Sequence, residues 1–459
     1  MTRLDNIVRQ TLTQPRRWIE SWYIVYALLG AVSSGLIPVL LPLMIVSISG
    51  EAHGLATVGY VIGAFNLGSM TSPFWGQWAD SKKLYRTICL GGLLLELTAM
   101  ALFPFAKGLL EWFMLALVIG AGSAAVTTCS TLLIVEFHPK NEWTPRIGWL
   151  QTFNGAGQVL GLLLAGVFAA GLFKVGLWTG AGILALGLLI GIFNLPRINE
   201  EQTTKKSKTH ITEHHGLDLN FQALSRFVRV EWFGVGLLRH FYVLNVAGIL
   251  SMIKLLPTRF GRFLLSWFFI FFGVAGFFAY FPLFLRSSFG VAPTLTSVSY
   301  AVAAGLGVTL YTLCGRWAER FGAGRIYFLS RLARLSGFIL MLVIMLAPHM
   351  AVSGSLALLG FAVVVLSWPV ISVTGTELTS ELSPLSQGAA QGLNNAANGV
   401  ATVAGTYLAG GLIHATGYIS IPLIAIVGLI FSILMDTSLK FHLKGSEPTI
   451  KKTKSGTNA

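Results

Sequence analysis

Five ionisable residues are singled out as functional candidates because they fall inside or at the ends of long apolar segments, where a charge is costly. Glu96 lies inside the third segment, where it could couple to protons or serve as a structural hydrogen-bond or basic partner. Arg331 and Arg334 lie in the first half of the ninth, and we expect them to extend to the membrane surface as anchors. Glu136 and Glu377 close the fourth and tenth segments at matching positions, which favours a gating role for them over a coupling role.

The chain lacks the residue patterns of several other protein classes. No G-x4-G-K-S/T loop occurs, which argues against a pump driven by ATP. No nucleophile–base constellation and no metal-ligand spacing is present, so we expect neither an enzyme nor a metal site nor a bound cofactor. Cys89, Cys129 and Cys314 have no paired spacing, which argues against a disulfide framework. The net charge of +14 sits in basic clusters between apolar runs, so we expect no nucleic-acid partner.

The composition is that of a membrane protein. Charged residues make up only 11% of the chain, and the mean hydropathy is +0.71. The apolar runs are continuous rather than alternating, which favours helices over a β-barrel. We therefore predict an all-α membrane protein with twelve transmembrane helices. The predicted spans lie near 21–48, 55–77, 85–106, 110–137, 146–171, 175–195, 263–285, 294–317, 326–347, 353–378, 388–413 and 417–437.

Lysine and arginine residues concentrate on one side of these spans. Only Lys107, Lys174 and Arg286 fall on the other side. Because positive residues remain on the cytoplasmic side, we predict a multi-pass protein of the cytoplasmic (inner) membrane with both termini in the cytoplasm. The apolar run 232–256 contains Arg239, and we expect it to lie in the membrane interface, since a thirteenth span would separate the termini.

Parts of the first half of the chain return in the second half. The stretch 76–80, Gly-Gln-Trp-Ala-Asp, returns at 315–319 as Gly-Arg-Trp-Ala-Glu, and the glycine pattern of 154–166 returns at 398–410. Such a repeat predicts two pseudo-symmetric six-helix bundles around a central cavity, an arrangement suited to alternating access. The predicted domains are a cytoplasmic segment 1–20, an N-terminal bundle 21–196, a cytoplasmic linker with interfacial helices 197–262, a C-terminal bundle 263–437 and a basic cytoplasmic tail 438–459.

The repeated loop resembles the signature of the major facilitator superfamily, G-x-x-x-D-R/K-x-G-R/K-R/K between the second and third helices. The first copy lacks the inner glycine, and the second copy is closer to the pattern. The resemblance covers the chain apart from 197–262 and the tails. Asp80 and Glu319 could form gate ion pairs, or they could be solvated charges that set the orientation. The gating motif implied by the resemblance comprises Gly76, Asp80, Lys82, Arg86, Gly315, Glu319, Arg320 and Arg325.

The fifth predicted span also resembles the glycine motif that this superfamily shows mainly in antiporters, G-x8-G-x3-G-P-x2-G-G. Leu162 stands in place of the proline. Generic packing of small residues explains the stripe equally well. Ala116 stands where proton-driven drug exporters usually have an arginine, so their proton scheme cannot simply be transferred. The helix-packing residues of this stripe and its repeat are Gly148, Gly157, Gly161, Ala165, Gly166, Ala401, Gly405 and Ala409.

The resemblance implies a central cavity lined mainly by the first, fourth, seventh and tenth helices. Few of its candidate residues are charged, which favours a neutral, zwitterionic or amphipathic substrate. Trp368 could stack on a ligand. The substrate-path candidates are Tyr26, Ser33, Ser34, Asn66, Gln151, Asn154, Gln158, Tyr280, Tyr300, Trp368, Asn394, Asn395 and Asn398.

The resemblance further implies a secondary transporter of a small organic molecule, and we expect export driven by proton antiport. An importer of a metabolite, peptide or siderophore-like compound is the alternative within transport. A transporter-like receptor, with 197–262 as its partner-binding region, is the alternative from another class. The expected partners are the lipid bilayer and a small-molecule substrate, and we expect the protein to be a monomer.

Overall fold

The computed structural model describes residues 18–197, 258–347, 353–384 and 387–437, and every regular element in these ranges is a helix. The prediction of an all-α membrane protein is thereby confirmed. In the described part of the chain, nine helices are long and apolar enough to cross a membrane, and Ser420–Met435 is a shorter apolar helix. The predicted spans 55–77 and 146–171 are not among the nine, so the count of twelve stays a prediction.

The described residues divide into two compact units. Unit 1 contains the described residues of 1–44 and 60–254, and unit 2 contains those of 45–59 and 255–459. The described residues do not include the predicted apolar run 232–256 or most of the linker around it. They also leave out most of the predicted segment 1–20 and the predicted tail 438–459. The predicted domain boundaries therefore stay predictions.

The helices that begin in the first half of the chain are apolar along most of their length, and glycine or proline residues mark several of their ends. At Gly50 the backbone takes φ 73° and ψ 162°, a conformation that glycine adopts without a steric penalty, and the chain bends there within one long helix. The elements are α1 (Tyr23–Leu29), a π-helical segment (Gly30–Leu36), α2 (Ile37–Ser69), α3 (Ser72–Lys82), α4 (Tyr85–Leu102), a 3-10 turn (Phe103–Phe105), α5 (Leu109–Phe137), α6 (Lys140–Phe168) and α7 (Phe173–Asn194).

The helices of the second half follow after Thr258. The Thr258 hydroxyl accepts a hydrogen bond from the backbone N–H of Gly261 at 3.0 Å and so caps the first of them. Gly290, with φ 66°, ends the same helix in the left-handed conformation. The elements are α8 (Arg259–Phe289), α9 (Pro293–Phe321), α10 (Ala323–Leu346), α11 (Ser353–Leu382), α12 (Gln387–Thr416) and α13 (Ser420–Thr437).

In unit 1, the small-residue stripe of α6 lies directly against α1 and the π-helical segment. A Cβ atom on Gly157 would overlap the carbonyl oxygen of Ala27, and one on Gly161 would overlap that of Ala31. The two backbones can approach this closely because neither glycine has a side chain. Gly148 differs, because a Cβ atom there would have nothing within 4 Å. Ala165 and Gly166, further along the stripe, are buried.

Unit 2 repeats this contact between α12 and α8. A Cβ atom on Gly405 would overlap the carbonyl oxygen of Phe272. Ala409 packs against Gly276, where its methyl group leaves no room for another side chain. Ala401, one helical turn before Gly405, is fully buried. The stripe therefore serves helix packing in both units, which supports the generic explanation of the glycine motif.

Candidate functional site

The π-helical segment Gly30–Leu36 brings backbone and hydroxyl groups to the interior of unit 1. A π-helical segment inside a helix often marks a functional position, because it shifts the side-chain register and loosens the hydrogen-bond ladder. A Cβ atom on Gly35 would come within 2.6 Å of the Gly161 Cα, so the segment is held close to α6. Ser33 and Ser34 sit in the middle of this segment, and both are partly exposed.

Glu96 of α4 is completely buried next to this segment. The Ser33 hydroxyl donates a hydrogen bond to Glu96 Oε1. The Ser123 hydroxyl of α5 in turn donates to Ser33 Oγ at 3.2 Å. Ser33 and Ser123 are both partly exposed, so the three side chains form a polar path from a buried carboxyl group towards the surface of unit 1.

The second oxygen of this carboxyl group, Glu96 Oε2, is buried and has no hydrogen-bond partner among the described residues. None of the ion pairs formed in the described part of the chain involves Glu96. A charged carboxylate without a cationic partner is costly in such a place, whereas a carboxyl group that binds a proton is not. The site can therefore hold a proton at Glu96 and exchange it through the serine hydroxyls.

Uncharged polar side chains of α1, α5 and α6 surround the same segment. The Asn154 amide donates to the backbone oxygen of Tyr26 at 3.2 Å, and the Gln158 amide donates to that of Ser34 at 3.5 Å. The Tyr26 hydroxyl lies close to the side chains of Thr127 and Gln151. These groups can donate to or accept from a neutral polar solute. Asn66 of α2 is partly exposed.

In the loop motif of unit 1, an ion pair is formed by a lysine that follows the predicted one by one residue. Lys83 takes a left-handed conformation with φ 54°, and its ammonium group lies 3.3 Å from Glu136 Oε2. The Tyr85 hydroxyl lies 3.4 Å from the same oxygen. Lys82 is exposed, and Arg86 donates to the backbone oxygen of Ile192 at the end of α7.

The remaining motif residues, together with the gating candidate Glu377, lie in varied surroundings. A Cβ atom on Gly76 would lie 3.4 Å from the Thr128 Cγ2 atom, so this glycine allows α3 and α5 to approach, whereas one on Gly315 would have nothing within 4 Å. Arg320 lies over the Phe321 ring at 5.2 Å. Arg325 and Glu377 are exposed. The side chains of Asp80 and Glu319 lie outside the described part of the structure, so their gating role stays a prediction.

An ion network at the ends of α1, α5 and α6 was not predicted from the sequence. Glu20 accepts from Arg146 Nη1 at 2.8 Å and lies 2.6 Å from His138 Nε2. Arg146 also pairs with Glu142 at 2.9 Å, and the Trp22 indole donates to Glu20 at 2.6 Å. These residues flank apolar segments, where charges are common. The one available signal was that Glu142 and Arg146 are spaced four residues apart on one helix.

Arg331 of α10 does not extend to the membrane surface as expected, because its side chain is completely buried. Its Nη1 atom donates to Ser266 Oγ at 3.0 Å and to Ser432 Oγ at 3.0 Å, and its guanidinium lies 4.1 Å from the centroid of the Tyr327 ring. The anchor prediction is therefore wrong for this residue. Arg331 instead links α10 to α8 and α13 inside unit 2.

Arg334, one turn further along α10, is 1% exposed and departs from the anchor prediction in the same way. Its Nε atom donates to Ser367 Oγ at 2.8 Å, and its Nη2 atom donates to the backbone oxygen of Val364 at 3.2 Å. The guanidinium lies 5.7 Å from the centroid of the Trp368 ring. The interior of unit 2 thus contains two cationic side chains close to aromatic rings.

The other polar candidates of unit 2 lie in different surroundings. Tyr280 is fully buried, and its hydroxyl donates to the backbone oxygen of Leu55 at 2.5 Å, whereas the Tyr300 ring packs among phenylalanines, with the Phe281 centroid at 5.3 Å. On α12, Asn394 is buried, Asn395 is exposed, and Asn398 accepts from the Thr402 hydroxyl at 3.0 Å.

Comparison with known proteins gives one family and one fold. A model described as Major Facilitator Superfamily matches residues 22–383. No curated protein sequence gives a significant match.

Several solved structures share the fold. A mutant of the nucleoside transporter NupG superposes with a TM-score of 0.65 at 13% identity, over 92% of this chain and 99% of that chain. A D-xylose-proton symporter gives a TM-score of 0.63 at 14% identity, over 90% of this chain and 95% of that chain. A POT family transporter in complex with 5-aminolevulinic acid gives a TM-score of 0.63 at 14% identity, over 92% of this chain and 96% of that chain. At such identities the likeness concerns the fold alone.

Proposed function

The chain belongs to the major facilitator superfamily, and from this premise we propose that it exports a small organic solute in exchange for protons carried by Glu96. Members of the superfamily are multi-pass membrane transporters of small solutes and not enzymes, so the chemistry to explain is coupled movement rather than catalysis. The bilayer is the protein's environment, and a small molecule is its substrate.

The proposal rests on one observation above all, the burial of Glu96 with a serine hydroxyl as its hydrogen-bond donor and with no cationic partner among the described residues. A carboxylate that lost its proton in this place would remain uncompensated at a cost of several kcal/mol. Loss of the proton must therefore coincide with access to water or with the arrival of another polar group. This requirement links the protonation state of Glu96 to the transport cycle.

The solute would bind at the uncharged polar face beside this carboxyl group. The Tyr26 hydroxyl and the Gln151 side chain lie on that face, together with Asn154. Ser33 and Ser123 would relay the proton between Glu96 and water. Because a solute and a proton would compete for neighbouring hydrogen-bonding groups, binding of one would favour release of the other, which is the coupling that antiport requires.

The test is flux through purified full-length protein in proteoliposomes under an imposed pH gradient, with internal pH recorded. The panel comprises amphipathic drugs, siderophores and metabolites that resemble amino acids. We expect Glu96→Gln to abolish flux driven by the gradient and to preserve exchange of labelled for unlabelled solute. The reason is that the amide keeps the hydrogen bond to Ser33 but neither releases nor takes up a proton. Glu111→Gln is the matched control, since Glu111 is an exposed carboxylate that accepts from the Lys107 backbone N–H.

Each outcome decides between the alternatives. Proton and solute movement in opposite directions supports antiport, and movement in the same direction replaces it with symport by an importer. A Glu96→Gln protein with full flux driven by the gradient removes Glu96 from coupling. Folded protein that moves no member of the panel favours the receptor alternative, whose proposed partner-binding region 197–262 lies mostly outside the described residues.

A further inference from the structure

Three aromatic side chains of unit 2 meet where α8, α9 and α11 approach each other. Phe271 and Trp368 are partly exposed, and Tyr311 is 42% exposed. The Phe271 and Trp368 rings have their centroids 5.4 Å apart at an interplanar angle of 86°. Such a T-shaped pair sets the edge of one ring against the face of the other.

The Tyr311 hydroxyl lies beside the Trp368 indole. Because the indole N–H can only donate, the tyrosine hydroxyl can meet it only as an acceptor, which leaves the hydroxyl proton of Tyr311 able to donate to a ligand. The aromatic cluster therefore offers a ligand a partly exposed aromatic surface and one hydrogen-bond donor.

A buried positive charge lies behind this cluster. The Arg334 guanidinium is 5.7 Å from the Trp368 centroid, and the contacts of this guanidinium with described residues involve a hydroxyl and a carbonyl oxygen but no carboxylate. A second cation extends the pattern, because Arg331 lies 4.1 Å from the centroid of Tyr327, whose ring stacks on Trp267. Each of the two buried guanidinium groups thus lies against an aromatic ring.

We propose that Phe271, Tyr311 and Trp368 bind a planar aromatic ring of the transported solute, and that Arg334 selects neutral or negatively charged rings against cationic ones. The inference rests on the proposed function, for which it names the substrate class.

The Arg334 charge should have a measurable effect on ligand affinity. A ring that contacts the cluster ~3.5 Å beyond the indole would lie about 9 Å from the guanidinium, and at an effective dielectric constant of ~20 a unit charge at this distance changes affinity about twentyfold. Because Arg334 is a cation, a ring with a carboxylate should bind more tightly than the neutral ring, and a ring with an ammonium group should bind more weakly. Loss of the indole should weaken binding of any planar ring by about tenfold, as for other aromatic stacking contacts.

The experiment measures binding without transport, so that it does not depend on flux. Benzoate, benzamide, benzylammonium and the saturated analogue cyclohexanecarboxamide are titrated onto the purified full-length protein in detergent, and dissociation constants are taken from the shift in unfolding temperature. The variants are Trp368→Leu, Trp368→Phe and Arg334→Gln. Trp178→Leu is the matched control, because Trp178 is a partly exposed tryptophan of unit 1 whose indole donates to a backbone oxygen.

We expect benzamide and benzoate to bind more tightly than cyclohexanecarboxamide, and benzylammonium to bind about twentyfold more weakly than the neutral benzamide. Trp368→Leu should weaken benzamide binding about tenfold, Trp368→Phe should restore most of it, and Trp178→Leu should leave it unchanged. Arg334→Gln should remove the preference for benzoate over benzylammonium. Equal benzamide binding in Trp368→Leu and in unmodified protein overturns the proposal, as does tightest binding of benzylammonium.

Glu96→Gln in the same titration separates the two proposals. If the ring compounds bind this variant normally while no flux depends on the pH gradient in unmodified protein, the aromatic site stands and proton antiport fails. If flux depends on Glu96 but Trp368→Leu binds every compound normally, proton coupling stands and the aromatic site fails. Should Arg334→Gln not fold, the two Trp368 variants still decide the outcome.

Discussion

Serine hydroxyls serve buried charged side chains in both units. Ser33 donates to Glu96, whereas Ser266 and Ser432 accept from Arg331. A hydroxyl can donate or accept, so it tolerates a change in the protonation of its partner. An ion pair does not tolerate such a change, because neutralising one partner leaves the other charge buried without compensation. The serine partner of Glu96 therefore suits a carboxyl group that changes its charge during a cycle.

Ser33→Ala tests this role at the level of one hydroxyl. The substitution removes the donor to Glu96 and interrupts the path to Ser123, so we expect flux driven by the pH gradient to fall about tenfold, in line with the loss of a buried hydrogen bond of ~1–2 kcal/mol. Ser336→Ala is the control, because Ser336 is exposed and bonds only within its own helix. Equal flux in the two variants would show that the hydroxyl of Ser33 has no part in coupling.

Arg146→Gln tests the ion network of unit 1. The substitution leaves the carboxylates of Glu20 and Glu142 without their shared cation, and because Arg146 is 8% exposed we expect a loss of about 1–3 kcal/mol in unfolding free energy. Lys83→Gln is the comparison, since the ion pair of Lys83 with Glu136 is more exposed and should be worth less than ~1 kcal/mol. Thermal unfolding in detergent would contradict the assignment if Lys83→Gln were the more damaging change.

Helix packing depends on glycine at particular positions rather than along the whole stripe. Gly161 has the Ala31 carbonyl in the place of a side chain, and Gly405 has that of Phe272. Gly148 belongs to the same sequence motif but faces open space. The motif therefore mixes positions that determine helix approach with positions that do not.

Gly161→Ala and Gly148→Ala form a matched pair on α6. The first should force α6 away from the π-helical segment and destabilise the protein by about 1–3 kcal/mol, as expected for overpacking. The second should be neutral or stabilise by up to ~1 kcal/mol, because alanine favours a helix and meets no neighbour there. Unfolding temperatures of the two variants check this, and similar shifts in both would mean that the close approach at Gly161 does not limit stability.

The sequence predicts elements better than it predicts side-chain partners. Glu96 was identified because a carboxylate inside an apolar run is rare. The pairing of Lys83 with Glu136 was not foreseen, because it depends on the left-handed conformation at Lys83, which redirects that side chain. The burial of Arg331 was also missed, because a long side chain near a helix end can extend to water or turn inward, and distant serines decide which it does.

At the scale of the whole molecule, hydropathy was sufficient to predict an all-helical membrane protein, and the resemblance of the repeated loop to a known signature predicted its family. The number of spans and the position of the termini stay predictions, since they depend on the charge distribution and on ranges outside the described residues. The sequence also could not predict the side-chain contacts inside each unit, which are a buried carboxyl group with serines in unit 1 and aromatic rings with arginines in unit 2.

Cysteine labelling tests the orientation of the whole chain. Lys107 and Lys82 are exposed and lie on opposite predicted sides, and the native cysteines are all buried, so they should give little background. We expect a membrane-impermeant maleimide to label Lys107→Cys in intact cells and Lys82→Cys only after permeabilisation. The reverse pattern would place the termini outside and contradict the predicted topology.

The central claim is that Glu96 exchanges its proton for solute, and proton release on solute binding tests it most directly. Purified protein in weakly buffered detergent solution is titrated with the solute that the flux panel identifies, and the pH change is recorded for unmodified protein and for Glu96→Gln. The account predicts release of about one proton per chain from unmodified protein and none from the variant, because binding of the two ligands is reciprocally linked. Equal release from both proteins, or proton uptake on solute binding, would contradict it.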